Sequence, residues 1–451
     1  MTSVSPRSGD VRTLTDLLEQ VSAERMLGDT RALCAEVRLS GSPQEARAFD
    51  YLEAKCRALG LEVRRFESET LISLPGPASL RLLGPEPVDV PCITHSIVLP
   101  TGPDGVEGDL VYVGSAGDSD LRSADVAGKI AVVDGLASPA TVRRLEEHGC
   151  FRQIFINVGL RHEMIISPVW GSPNAHTLGN LPRSVCVTLD ETDGAKLKTL
   201  LQQGPRRARL TTEVDTGWRR IPTLTAEVQG PNSDGTFALF GAHVDSWHYG
   251  ATDNATGNAM QLELARILLE RRADLRRGVR FAFWSGHSHG RYAGSTWYAD
   301  HLFQDLYVHC VLYVNVDTPG GRGGSVRDII DVMDETHGLV AQAVETVVDQ
   351  PFVGKRIARY ADQSFWGPGV PSAFASVSEQ PAPTDGTLVL GPGQSSGSTH
   401  KSGGFGFWWH TTEDTFDKVD GDNLRTDAQV VLAALWNVVS SPVLPFDYAR
   451  L

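Results

Sequence analysis

From residue 221 to residue 348 the chain alternates short apolar runs with helix-length runs. Leu224-Thr-Ala-Glu-Val228, Phe237-Ala-Leu-Phe240, Val279-Arg-Phe-Ala-Phe-Trp284 and Val311-Leu-Tyr-Val-Asn-Val316 read as strands, and helices are expected over 257–271, 295–305 and 337–348. Such alternation allows few architectures. It predicts an α/β sheet in which helices cross between strands and ligands gather on loops beyond the strand carboxyl ends. A chain of 451 residues exceeds a single core of about 250, so a second domain or an insertion is expected. Between 86 and 215, proline and glycine rise and short β-like runs appear at 108–113, 129–133 and 153–157, with a helical segment at 140–148. We take 86–215 as a β-rich insertion, and 1–85 with 216–451 as the main domain. Residues 11–60 show helical spacing; Ser42 caps a helix opened by Pro43, Gly60 ends it, and 61–66 alternates as a strand.

Residue types suited to metal chemistry sit where those strands end. The run Gly241-Ala-His-Val-Asp-Ser-Trp-His-Tyr-Gly-Ala-Thr-Asp-Asn-Ala-Thr-Gly257 carries His243, Asp245 and Asp253 between a strand and a helix. A neutral imidazole and carboxylates are what a borderline divalent metal accepts, and a further carboxylate commonly orients the ligand imidazole. Read so, His243 and Asp253 are ligands and Asp245 stands behind them. Taken alone, the loop could equally be a solvated turn whose Asp253-Asn254 caps the next helix. The strand 279–284 runs into Ser285-Gly-His-Ser-His-Gly290. There His287, Ser288 and His289 could bind metal, activate water or form a serine–histidine pair. Asp317 follows the strand 311–316, and His410 follows the aromatic run Phe405-Gly-Phe-Trp-Trp409. A carboxylate at the mouth of an apolar strand is costly to bury unless it is paired or metal-bound.

These pieces together resemble the zinc aminopeptidase family that includes glutamate carboxypeptidase and the transferrin receptor. The matching segments are Gly241-Ala-His-Val-Asp-Ser-Trp247 with Asp253-Asn254, Val314-Asn-Val-Asp317, and Trp409-His-Thr-Thr-Glu-Asp-Thr-Phe-Asp-Lys-Val-Asp420. Ser40-Gly-Ser-Pro43, Ala361-Asp-Gln-Ser-Phe365 with Gly369-Val-Pro371, and Pro445-Phe-Asp447 also look like family segments. The resemblance implies a phosphorylase/hydrolase-like mixed sheet flanked by helices, with 86–215 as an inserted protease-associated domain. It also implies a two-metal site: His243, Asp253 (bridging), Asp317 and His410 as ligands, with Asp245 behind His243. The family carries Glu-Glu after the strand at 279–284, a general base and then a ligand; this chain has neither. Matched from the strand, His287 takes the base position and Ser288 the ligand position. Matched back from Gly294-Ser-Thr296, Ser288 takes the base and His289 the ligand. We favour the strand register for the base, and carry His287, Ser288 and Asp245 as candidate catalytic residues. The candidate metal ligands are His243, Asp253, His289, Asp317 and His410.

An imidazole-richer site suits one or two divalent transition metal ions, zinc foremost, with iron, manganese, copper or nickel compatible. The expected activity is hydrolysis of an amide (C–N) bond by metal-activated water. The alternatives are a non-catalytic binding or scaffold homologue, and ester, urea or lyase chemistry at the same site. Trp247, Trp284, Trp366, Trp408 and Trp409 lie in the ligand-bearing segments and suggest an aromatic-walled pocket. The expected substrate is therefore a small molecule or short peptide with an apolar or aromatic part. A formal charge of −14 without a basic tract argues against nucleic acid and anionic membrane partners. No apolar run reaches the roughly 18 residues that span a bilayer. Six scattered cysteines without a CxxC, and a first segment lacking a signal-type apolar core, point to the cytoplasm. Self-association is left open. The Gly/Ser-rich run 391–406, with His400 and Lys401, reads as a flexible loop or flap.

Overall fold

The strand Phe237–His243 is buried along its whole length and alternates between two cores, as period-two geometry requires. Ala238 and Phe240 face a layer that contains the helices Pro43–Ala58, Thr256–Glu270, His337–Val348 and Gly421–Ser440. Phe237 and Leu239 face the helices Ala293–His301 and Phe303–His309, together with Trp284 and Tyr313. Helices thus cover both faces of the sheet. The computed structural model describes residues 8–382 and 403–450, with side chains from residue 14 onward; His400 and Lys401 lie outside the described residues.

Phe237–His243 lies between Gly278–Trp284 and Cys310–Asn315 and runs parallel to both. Trp284 pairs level with His243, and Asn315 with Gly241, so three carboxyl ends open on one edge. Beyond Cys310–Asn315 the sheet continues through Ser372–Ala373, Asp331–Val332 and Lys355–Arg356. On the other side Gly278–Trp284 pairs antiparallel with the end of Arg207–Val228. That strand is 22 residues long and pairs with the equally long Glu62–Leu83, from Glu62↔Glu227 to Leu83↔Arg207, with a register shift between Pro75 and Ala78. At about 3.3 Å per residue the ribbon reaches roughly 70 Å. Its far half carries a second set of strands: Val106–Tyr112, Ile130–Asp134, Arg152–Ile156, Val185–Leu189 and Ile93–Thr94. These have their own apolar clusters, one around Phe155 and Leu145, the other around Ile154, Val187 and Leu210.

Among the described residues no helix is long and apolar enough to cross a membrane. All six cysteines are unpaired, and five of them are buried.

One buried imidazole makes this second unit sensitive to acid. His95 accepts at Nδ1 from the Met164 backbone N–H (3.2 Å), so its proton sits on Nε2, 2.7 Å from the Thr188 hydroxyl. Burial pushes its pKa down to about 3 from an ordinary 6.5. The unfolded chain therefore takes up a proton that the folded chain refuses. Stability from this group is complete above pH 6.5 and is lost as pH falls toward 3. The expected slope is about 1.4 kcal/mol per pH unit between pH 6 and pH 4. Denaturant melts of wild type and His95→Asn across that window check it: the wild-type curve falls more steeply by that amount.

Candidate active site

Each strand end delivers one piece of the site. His243 is the last residue of Phe237–His243, His287 lies three residues past Gly278–Trp284, and Asp317 lies two past Cys310–Asn315. Gly241, just before His243, leaves room for the Trp284 indole, which a Cβ there would strike. Fully buried Arg38 fixes the following loop, donating to the carbonyls of Val244 (2.8 Å), Tyr249 (2.7 Å) and Gly250 (3.0 Å). The loop then turns through a cis peptide between Asp253 and Asn254. Asp414 accepts from Thr252 N (2.9 Å), Thr252 Oγ1 (2.8 Å) and Asp253 N (3.0 Å). Burial, then the charge of Asp253, pushes Asp414 up to about 7.

Three imidazoles are oriented in the same way. His243 donates from Nδ1 to the Asp245 carbonyl at 2.9 Å, His410 from Nδ1 to the Glu163 carbonyl at 2.6 Å, and His287 from Nδ1 to Asp362 Oδ2 at 2.7 Å. With Nδ1 carrying the proton, each Nε2 presents a lone pair. All three turn it toward two buried carboxylates. His243 Nε2 is 2.9 Å from Asp253 Oδ1 and 3.5 Å from Asp317 Oδ1. His410 Nε2 is 3.2 Å from Asp253 Oδ2, and His287 Nε2 is 4.0 Å from Asp317 Oδ2. One ligand atom each from His243, His287 and Asp317 falls within 4.8 Å of the others. His243 Nε2, Asp253 Oδ1 and Asp317 Oδ1 are buried without a hydrogen-bond partner.

Acceptors facing acceptors in a buried place call for a cation. The two carboxylates would otherwise favour a proton on His243 itself: burial opposes that charge, yet Asp317, with Asp253 behind it, holds its pKa well above the ordinary value. Burial and then Asp253 raise Asp317. Burial also pushes Asp253 up, but His243 and His410 outweigh it and hold Asp253 well below the carboxylate range. The donor set of imidazole nitrogen and carboxylate oxygen suits a divalent transition metal.

The loop 285–296 departs from expectation in three ways. His289, expected among the ligands, lies outside the cluster: its Nδ1 is 2.9 Å from Ser40 Oγ and its ring packs on Trp247 at 4.5 Å. His287 joins the cluster instead, its ring stacked on His243 with centroids 3.8 Å apart. Neither register had placed His287 among the ligands; its Nδ1 contact with Asp362 turns Nε2 toward the carboxylates, and the loop goes on through positive φ at Arg291 and Tyr292 (50° and 66°). Second, Ser288 Oγ is buried without a partner, so no serine–histidine pair forms. Third, the Asp245 side chain does not hold His243; its backbone carbonyl does. The Asp245 carboxylate accepts instead from Ser40 Oγ (2.7 Å), Ser288 N (2.8 Å) and His287 N (3.2 Å), and so pins the histidine loop. Of the tryptophans, Trp247 lines the narrow cleft with His248, Asp253 and His410, whereas Trp284 is core, packed on Tyr298 and Phe365.

Two kinds of residue escaped the sequence reading. Asp362 orients His287 and is itself held by Ser295 Oγ at 2.7 Å. It sits in a segment whose resemblance was noted, so its signal was present. Glu163 and Trp170 come from 86–215 and carried no signal. Glu163 N donates to the His410 carbonyl and the Glu163 carbonyl accepts from His410 Nδ1; the Glu163 carboxylate is 3.4 Å from His248 Nε2, and burial pushes it up to about 8. Trp170 Nε1 donates to Ser364 Oγ at 2.9 Å.

Residues 223–435 match the model of peptidase family M28. Just under half of the chain is thus similar to a peptidase family M28 domain. The matched stretch holds His243, Asp253, His287, Asp317, Asp362 and His410, and excludes 86–215. Relatives agree with this placement. The probable glutamate carboxypeptidase VP8 of Zea mays is 25% identical over 93% of this chain and 67% of its own length. The aminopeptidase NAALADL1 of Rattus norvegicus is 34% identical, but over 22% of this chain and 14% of its own length. The chain thus spans about two thirds of the maize relative and far less of the rat one. The M28 fold recurs in two solved bacterial structures. The Peptidase M28 precursor from Shewanella amazonensis SB2B has a TM-score of 0.72 at 20% identity, covering 96% of this chain and 97% of that one. The aminopeptidase from Aneurinibacillus sp. strain AM-1 has a TM-score of 0.68 at 21% identity, covering 95% and 96%.

Proposed function

We propose that this M28-like domain is a metal-dependent hydrolase of an amide (C–N) bond in a small molecule or short peptide, with zinc as the metal. One observation carries the reading: His243 Nε2, Asp253 Oδ1 and Asp317 Oδ1 converge, buried and unsatisfied, with the Nε2 atoms of His287 and His410 turned toward the same carboxylates. His243, His287, Asp317 and Asp253 would hold one ion firmly. Asp253 and His410 would make a weaker second position, since no glutamate completes it. A bound zinc would supply Lewis acidity and a lowered pKa for coordinated water. The protein's own work is orientation: Asp362 holds His287, the Asp245 carbonyl holds His243, Asp414 holds the turn at 252–253, and Asp245 pins the loop.

The carboxyl groups that line or support the site are Asp245, Asp253, Asp317, Asp362 and Asp414, with Glu163 reaching in from 86–215, which we take as a protease-associated module. Tyr249, Trp366 and Phe407 stay exposed on site-bearing or neighbouring segments, which favours a substrate with an apolar part. Six free thiols fit a reducing, cytoplasmic setting. The test is turnover of a panel of aminoacyl anilides, dipeptides and N-acyl amino acid amides. Hydrolysis lost on chelation and restored by zinc is the expected result. Undiminished hydrolysis by protein verified as metal-free would sink the reading.

A further inference from the structure

Arg291 stands one aromatic ring from the histidine cluster, and among the described residues no carboxylate meets its guanidinium. Its guanidinium carbon lies 4.8 Å from the Tyr292 ring centroid and 5.7 Å from that of Trp170. The Tyr292 ring in turn meets His287 edge-on at 4.8 Å. Trp170 and Tyr292 pack on each other at 4.5 Å. The Arg291 carbonyl accepts from Gly171 N at 2.6 Å, which ties the segment of 86–215 that carries Trp170 to this turn. The cation is therefore held by ring faces and backbone, and those contacts use none of its N–H groups.

Among the described residues Arg291 Nε is buried without a hydrogen-bond partner, and no carboxylate pairs with the guanidinium. A buried, unpaired N–H of a cation calls for a partner. The planar fork of a guanidinium matches a carboxylate in two parallel hydrogen bonds. The aspartates of the site are already engaged: Asp362 with His287 and Ser295, Asp317 beside His243 and His287. Arg291 and Tyr292 both hold left-handed backbone at non-glycine residues, a conformation that persists where surrounding structure enforces it and that clusters at ligand sites.

We propose that Arg291 is a specificity residue that binds a free carboxylate on the substrate, so that the amide cleaved belongs to a carboxylate-bearing compound such as an N-acyl amino acid or a dipeptide. The inference rests on the reading of this site as an amide-binding one, and its test needs no turnover. The probes are N-acetyl-L-phenylalanine and N-acetyl-L-phenylalaninamide, which differ only in the carboxylate. Their binding is measured by calorimetry on zinc-loaded and chelator-stripped protein, for wild type, Arg291→Gln and Arg291→Lys, with melting temperatures as a fold control.

Wild type is expected to favour the carboxylate probe by at least tenfold, with or without zinc. Arg291→Gln should bring the two probes within about twofold, and Arg291→Lys should fall between, since it keeps the charge and loses the fork. If Arg291→Gln does not fold, the lysine variant carries the test. A preference that survives in the folded variants, that disappears on zinc removal, or that is missing from wild type overturns the proposal. A clear preference in a protein that hydrolyses no amide would leave Arg291's role standing and remove the hydrolase reading.

Discussion

Asp253→Ala is expected to lower amide hydrolysis by at least about 10³-fold and to strip the metal without unfolding the chain. Asp253 is the carboxylate that reaches two imidazoles, His243 Nε2 at 2.9 Å and His410 Nε2 at 3.2 Å. A metal held there is worth several kcal/mol of transition-state stabilisation, and each 1.4 kcal/mol is a factor of about ten. In the metal-free fold two effects oppose. Asp253→Ala loses the His243 and His410 contacts that hold Asp253 well below the carboxylate range, and it relieves the repulsion by which Asp253 raises Asp317. Metal-free Asp253→Ala should therefore stay folded and lose the stabilisation that zinc gives to wild type. Turnover, metal content and melting temperature measured on the same preparation check all three parts. Normal turnover with normal metal content would remove Asp253 from the site.

His287→Ala carries the second large effect, about 10²-fold or more in activity, and Asp362→Ala should reproduce part of it. Where the resemblance led us to expect Glu-Glu, this loop brings an imidazole whose Nδ1 donates to Asp362 Oδ2 at 2.7 Å. Removing the acceptor that orients a ligand histidine typically costs 10- to 100-fold in metal affinity or activity. The two losses should not add, because Asp362 acts through His287; the double variant should match His287→Ala. Zinc titrations and rates for both single variants and the double one test this. Additive losses would mean that Asp362 works independently.

The sheet was legible because its strands are buried on both faces and read as near-continuous apolar runs, 237–240 and, with Arg280 as its one polar residue, 279–284 among them. The ribbon Glu62–Leu83 was legible only to residue 66. Beyond that it lies partly exposed and passes Pro75-Gly-Pro77, which reads as a turn but is crossed here with a register shift. The helix Gly421–Ser440 was missed for the opposite reason: from Val430 to Trp436 every residue is buried, so no apolar stripe marks a face. Within the site, His243, Asp253, Asp317 and His410 could be found because each sits in a short local motif. The loop histidines could not be ranked, since matching from either side shifts the assignment by one residue. What separates them is their surroundings in the fold: Asp362 and the His243 ring take His287, and Ser40 and Trp247 take His289. Glu163 meets His410 across 247 positions of chain, and a single sequence holds no record of that contact.

Elemental analysis of protein purified without added metal or chelator, beside His287→Ala and His289→Ala, tests the ligand assignment most directly. The geometry predicts a transition metal in wild type that is lost from His287→Ala and kept in His289→Ala. Metal kept in His287→Ala and lost from His289→Ala, or no metal in any of the three, would contradict it.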